Sequence, residues 1–118
     1  MLKDPKKMAQ FGFETGIGFI PFASTGFDVV KAVRKGDSSP VRAAAARKLI
    51  TDPEPRSGKA LAAVVSDKSA IVRTAVLDAI ALRGDASLLG AVKPALSDSN
   101  NVVRFTAAAA ALRLTGKP

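Results

Sequence analysis

The chain contains no cysteine and no histidine. The first absence excludes disulfides, thiol catalysis and thiolate metal ligands. The second removes imidazole ligands and the side chain that most often moves protons near neutral pH. A carboxylate pair assembled in three dimensions is the remaining route to catalysis, and the sequence shows no such pair. We therefore predict a protein that is not an enzyme and that holds no cofactor or metal.

Aromatic residues are also scarce, with six Phe and no Trp or Tyr, although 47% of the residues are hydrophobic. Alanine dominates that hydrophobic fraction. Small residues in this proportion favour helices packed closely on helices, whereas a β-sandwich needs alternating β-branched and aromatic residues. The composition predicts a single all-α domain.

No long hydrophobic run is present. The longest uncharged segment, residues 15–27, is too short to span a bilayer as a helix and contains Pro21 and three glycines. Asp4 and Glu14 interrupt the region where a secretory signal would lie. We expect no membrane span and a cytoplasmic location.

Acidic residues are outnumbered, with 10 Asp and Glu against 18 Lys and Arg, for a net charge of +8. Such a balance favours an anionic partner, either nucleic acid or an acidic protein surface. The excess is spread thinly along the chain without a basic block, and no Trp or Tyr is available for base stacking. A protein partner is therefore the preferred prediction, and nucleic acid is the alternative.

The dipeptide Val-Arg recurs with a constant spacing of 31 residues, at 41–42, 72–73 and 103–104. Asp67 and Asp98 each precede the Val by five residues, whereas Gly36 takes that place in the first copy. Asp37 lies one step out of register. A recurrence of this length predicts a stack of structural repeats.

Apolar spacing and breaker residues divide each repeat into two helices. The Val-Arg helices are predicted at 40–51, 71–83 and 102–114, and their partner helices at 26–36, 56–66 and 87–97. Such pairs bury their apolar faces by stacking into an α-solenoid of about seven helices. The predicted organisation is an atypical N-terminal capping helix and loop at 1–25, followed by repeats at 26–51, 56–83 and 87–114, with 26–118 forming the repeat region. An ordinary antiparallel helical bundle is the alternative.

The pattern Asp-x4-Val-Arg followed by an alanine-rich helix resembles HEAT-like repeats, particularly the short bacterial kind of the phycobilisome lyase subunits. The resemblance covers residues 36–118, with 26–35 as a preceding half-unit. It implies a right-handed α-α superhelix in which the Val-Arg helix is the inner one and lines the concave side. It also implies a protein-binding scaffold, with a phycobilin lyase role as a minor alternative.

The resemblance further implies a structural ladder. In this interpretation Arg42, Arg73 and Arg104 tie neighbouring units together, while Asp67 and Asp98 accept hydrogen bonds in the turns. A guanidinium has five donors and suits the bridging of carboxylates and carbonyls. The alternative is that the three arginines form a row of anion-binding forks.

Positions two and six residues after each Val are expected on the concave face if positions zero, four and eight are buried. These are Ala43, Arg47, Thr74, Asp78, Phe105 and Ala109. Candidate partner-binding residues are accordingly Arg47, Thr74, Asp78 and Phe105, with Arg47 and Phe105 as the anchors because Arg and aromatic side chains dominate interface energies. Burial of Phe105 within the stack is the alternative.

The final helix carries no charge between Arg104 and Arg113. A terminal repeat normally has a polar outer face. We therefore predict self-association through this C-terminal helix at high concentration.

Overall fold

The computed structural model describes residues 28–116, and every regular element in that range is helical. The predicted capping helix and loop at 1–25 lie outside the described residues. The helices are α1 (Val29–Lys35), α2 (Ser39–Lys48), α3 (Pro55–Ala63), α4 (Ala70–Arg83), α5 (Leu89–Val92) and α6 (Asn101–Leu114), with 3-10 helices at Ala86–Leu88 and Lys93–Ser97. The predicted all-α class is confirmed.

The three Val-Arg helices begin in the same way, because a short polar side chain caps each of them. Ser38 Oγ accepts from the backbone N–H of Val41, and Ser69 Oγ accepts from Val72, each at 3.4 Å. Asn100 Oδ1 accepts from the backbone N–H groups of Val102 and Val103, at 2.8 and 3.2 Å. Side-chain acceptors at this position satisfy donors that the helix itself cannot pair.

The Val-Arg helices form one row and the partner helices another. The central helix α4 packs against both α2 and α6, while α1 and α3 pack against each other and against the first row. Alanine, valine, leucine and isoleucine fill the space between the rows, with Leu49, Leu61, Leu77 and Ile80 as its largest fully buried members. Small side chains let the helix axes approach closely. A continuous core therefore forms, and none of the buried residues between 28 and 116 is aromatic.

The third partner segment differs from the prediction of one helix over 87–97. It consists instead of a 3-10 turn, the short α5 and a second 3-10 helix. Pro94 lies in the first turn of that second 3-10 helix. Because proline has no N–H and its ring clashes with the preceding turn, a regular α-helix cannot continue through it.

Helix ends also depart from the predicted bounds. Helix α2 stops at Lys48, short of residue 51, and α3 stops at Ala63, short of residue 66. Helix α4 ends as predicted at Arg83, where Gly84 follows with φ of 71°. That left-handed conformation is one that glycine adopts without steric cost.

Candidate functional site

A bidentate ion pair joins the first Val-Arg helix to the following unit. Arg42 donates from Nε to Asp67 Oδ2 at 2.8 Å and from Nη2 to Asp67 Oδ1 at 3.2 Å. Its Nη1 donates to the carbonyl of Gly36 at 3.0 Å. Both charged side chains are only 9% exposed. The guanidinium therefore fastens the turn before α2 to the turn before α4.

The same arrangement recurs one unit later. Arg73 donates to Asp98 at 2.8 Å from Nε and 3.1 Å from Nη2, and its Nη1 donates to the carbonyl of Asp67 at 2.9 Å. In both pairs the carboxylate lies 25 residues after the arginine. We call these two ion pairs, with their carbonyl contacts, the ladder.

Each ladder carboxylate also holds the turn that precedes the next helix. Asp67 Oδ1 accepts from the backbone N–H of Ser69 at 2.9 Å, and Asp98 Oδ1 accepts from Asn100 at 2.8 Å. One side chain thus shapes the turn and bridges two units, so its replacement would disturb both.

Hydrogen bonds keep the ladder carboxylates ionised. Burial alone raises the pKa of Asp67, but the Arg42 guanidinium and the Ser69 N–H outweigh it and lower the pKa below the usual 3.8. For Asp98, the Asn100 N–H contributes most and the Arg73 guanidinium next, and they too lower the pKa below 3.8. Donors that favour the charged form account for both shifts.

A second arginine contact was not anticipated from the sequence. Arg83, the last residue of α4, donates from Nη1 to the carbonyls of Leu49 and Asp52 at 2.7 and 2.5 Å, and from Nη2 to that of Glu54 at 3.2 Å. Asp52 Oδ2 accepts from the fully buried Ser57 hydroxyl at 2.9 Å. Because this arginine has no counterpart 31 residues before or after it, the repeat pattern gave no signal for it.

An open groove of about 310 Å³ lies on the row of Val-Arg helices. Its lining consists of Arg47, Ala70, Ile71, Thr74, Asn100 and Val102. The apolar side chains of Ile71 and Val102 are 63% and 59% exposed. We refer to this feature as the groove.

The structure brings two of the four candidate partner-binding residues together. Arg47 and Thr74 line the groove. Asp78 is exposed on α4, and Phe105 is 68% exposed on α6, but neither lines the groove. The alternative that Phe105 is buried within the stack is therefore wrong.

Two assignments made from helical spacing are wrong. Ala43, expected on the concave face, is only 1% exposed, and Val41, expected in the core, is 43% exposed. Ala45 and Leu49, four and eight residues after Val41, are buried as expected, so the spacing fails only at the first two positions. Spacing within one helix cannot fix the full width of the buried stripe, because the neighbouring helices decide which positions are covered.

Sequence reasoning missed Ile71 and Val102 as surface residues. A signal was available, since both immediately precede the Val of the Val-Arg pair, at the position that Pro40 occupies in the first unit. All three are exposed. An apolar residue that recurs at an exposed position marks a continuous surface across the units.

A profile of the family described as HEAT repeats matches residues 28–113. The chain belongs to the HEAT-repeat family. HEAT repeats are generally protein-interaction scaffolds and typically not enzymes. A comparison with curated proteins found no match. The narrower resemblance to phycobilisome lyase subunits of bacteria stays a prediction.

Between residues 28 and 116 no helix is long and apolar enough to cross a membrane. In the same range no group of three acidic side chains is placed to hold a metal ion. The cytoplasmic location expected from the sequence stays a prediction.

Proposed function

We propose that this HEAT-repeat protein is a non-enzymatic scaffold that binds a protein partner through the groove. The observation that carries the proposal is the pair of β-branched side chains, Ile71 and Val102, each about 60% exposed and lining one concavity. Neighbouring apolar side chains left in water commonly mark interaction sites on soluble proteins.

The polar residues of the groove suggest what such a partner offers. Arg47 brings a positive charge beside the two apolar side chains. Asn100 Oδ1 is occupied by the N-cap of α6, so its amide N–H groups are the atoms that can donate outward. The groove therefore suits a segment that places an aliphatic side chain on Ile71 and Val102 and an acidic group on Arg47.

Asp78 and Phe105 extend the same proposal. Asp78 follows Thr74 by four residues on α4, and Phe105 follows Val102 by three residues on α6. Residues so spaced lie on one face of a helix. We place both at the margin of the partner surface, beyond the groove itself.

The ladder supports a structural role for Arg42 and Arg73 over a row of anion-binding forks. Each guanidinium already donates to a carboxylate and to a carbonyl within the chain. The donors that nucleic acid phosphates would need are engaged at these two positions. Protein binding is accordingly the function that the geometry favours.

The test is a double variant, Ile71→Ala with Val102→Ala, used in affinity capture from the native host and in titration against the captured protein. We expect the dissociation constant to rise at least about tenfold, since two central apolar contacts are lost. The matched control is Leu82→Ala, which truncates a residue of α4 that is 52% exposed outside the groove. Equal binding by the double variant and the control would refute the role of the groove.

A salt series tests the nucleic acid alternative on the same protein. Binding of duplex or single-stranded DNA that is tight at low salt and falls steeply as salt rises would replace the proposal. Weak binding of DNA that does not depend on Arg47 would be consistent with a protein partner.

A further inference from the structure

The ladder has a direction. Each ladder arginine turns Nη1 back to the carbonyl six residues earlier and turns Nε and Nη2 forward to a carboxylate of the following unit. The forward edge of Arg42 receives Asp67, and that of Arg73 receives Asp98. Each of these two units thus offers the Nε and Nη2 donors of its arginine to the unit stacked on it.

Arg104 has the backward contact but no ladder carboxylate within residues 28–116. Its Nη1 donates to the carbonyl of Asp98 at 2.8 Å, as its two counterparts do to theirs. Its Nη2 contacts Asn101 Oδ1 on its own helix. The Nη1 contact thus matches that of the two ladder arginines, and a forward carboxylate would take the place of Asn101 at Nη2.

The surface beside Arg104 can be compared with the equivalent positions of the first two repeats. Ala46 and Leu77 are fully buried, while Ala108, at the equivalent position of α6, is exposed. Ala43 is 1% exposed, while its equivalent Phe105 is 68% exposed. Leu112 on α6 is 65% exposed. Thr74, the second-repeat equivalent of Phe105, is half-buried, as are Ile50 and Ala81, the equivalents of Leu112. Positions that are wholly or partly covered in the first two repeats are thus uncovered and apolar in the third.

The molecule itself shows what covers such a surface. On α2 and α4 the occupant is a helical unit whose second helix follows an Asp-x-Ser or Asp-x-Asn turn. In that turn the aspartate reaches back to the arginine and also accepts from the backbone N–H two residues later. A docked partner would need the same carboxylate before an apolar helix.

We propose that the exposed face of α6, together with Arg104, docks a helical repeat of a partner protein that carries an Asp-x-Ser or Asp-x-Asn turn. This surface includes Phe105, which also lies at the margin of the partner surface, but it contains no residue that lines the groove. A groove that proved inert would therefore leave this proposal standing. The chemical match consists of one carboxylate for the Nε and Nη2 edge of Arg104 and an apolar helix for Phe105, Ala108 and Leu112. The net charge of +8 further favours an acidic partner.

A second copy of this chain fits less well. Its first unit has Gly36 at the ladder position, with nearly the backbone angles of Asp98. A Cβ atom on Gly36 would lie 2.7 Å from the carbonyl oxygen of Ala32 and 2.8 Å from a methyl carbon of Val41. The first unit therefore cannot present an aspartate there without a shift of backbone. Two copies at +8 would also repel each other.

The test adds a unit of known chemistry to the chain after α6. A copy of residues 86–116 is fused directly after Gly116, so that its aspartate follows Asp98 by the repeat length of 31. Chemical unfolding is measured for the extended and the original chain, each with and without Arg104→Ala. We expect the extended chain to unfold cooperatively at higher denaturant concentration.

The decisive comparison is the effect of Arg104→Ala in the two chains. We expect it to lower the folding equilibrium constant at least about tenfold more in the extended chain than in the original, because only there does it leave a carboxylate unpaired. Replacing the aspartate of the fused copy by alanine should reproduce that loss. Arg113→Ala is the control, since its equivalent Leu82 stays 52% exposed under a following unit.

Three results would overturn the proposal. A fused unit that unfolds separately would show that the face of α6 does not accept a repeat. Equal losses from Arg104→Ala in both chains would show that the arginine edge is not used. Light scattering that detects a dimer of the original chain, abolished by Phe105→Asp but not by Arg104→Ala, would instead assign the face to a second copy.

Discussion

Helices α4 and α6 have the same length, the same capped start and the same Val-Arg pair, yet they bury different positions. Leu77 of α4 is fully buried, whereas Ala108, which occupies the equivalent position of α6, is exposed. The difference arises because α4 is packed between α2 and α6, while α6 has α4 on one side only among the described helices. Burial in this molecule is therefore set by place in the stack.

The two helices also differ in their ladder arginines. Arg73 of α4 is bridged to Asp98, while Arg104 of α6 contacts only its own unit within the described residues. A repeat protein is stabilised by the intrinsic stability of each unit and by the interfaces between neighbours. The middle unit has two interfaces and the last has one, so equivalent substitutions should have unequal effects.

The largest effect expected from this comparison is at the buried position of α4. Leu77→Ala should reduce the free energy of unfolding by about 3 kcal/mol, because it removes buried methyl groups and leaves a cavity. Ala108→Leu, which places the leucine at the equivalent position of α6, should change it by less than about 0.5 kcal/mol. Urea unfolding followed by circular dichroism measures both, and comparable losses would contradict the comparison.

A smaller effect is expected at the first ion pair of the ladder, between Arg42 and Asp67. Asp67→Ala should cost about 2 kcal/mol, since it leaves the guanidinium of Arg42 buried without its carboxylate. Asp37→Ala is the matched control, because Asp37 is an exposed aspartate in the equivalent turn of the first unit. Thermal unfolding of the two variants should separate them clearly. A similar shift for both would mean that the ion pair adds nothing to the turn.

The smallest effect concerns pH. Asp67 and Asp98 have pKa values below the usual 3.8 in the folded protein. Their contribution to stability is therefore complete above that value and is lost as pH falls through the lower, folded-state pKa values. The midpoint temperature of thermal unfolding should fall as the pH is lowered below about 4. Asp67→Asn should make that fall shallower. An unchanged acid dependence in the variant would show that Asp67 is not responsible.

Much of the architecture could be predicted from the repeat. The spacing of Val41, Val72 and Val103 located the three main helices, and the polar residues before them located their starts. These features depend on local chemistry, namely capping side chains and helix-breaking residues. The interrupted third partner helix was missed because Pro94 was not weighed against the apolar pattern around it.

The surface was harder to predict than the helices. Ala43 and Val41 were assigned to the wrong sides, since helical spacing gives the stripe of a helix but not the direction in which neighbours cover it. The exposure of Ile71 and Val102 was not predicted, because isoleucine and valine in a single sequence indicate core residues. Arg83 could not have been found, as its three carbonyl partners are joined to it only by the fold.

A double-mutant cycle on Arg42 and Asp67 tests most directly whether the ladder couples successive units. The free energy of unfolding is measured for the original chain, Arg42→Ala, Asp67→Ala and the double variant. We predict a coupling energy of about 2 kcal/mol, so that the double variant is little worse than either single one. Strictly additive losses, with a coupling energy near zero, would contradict the account.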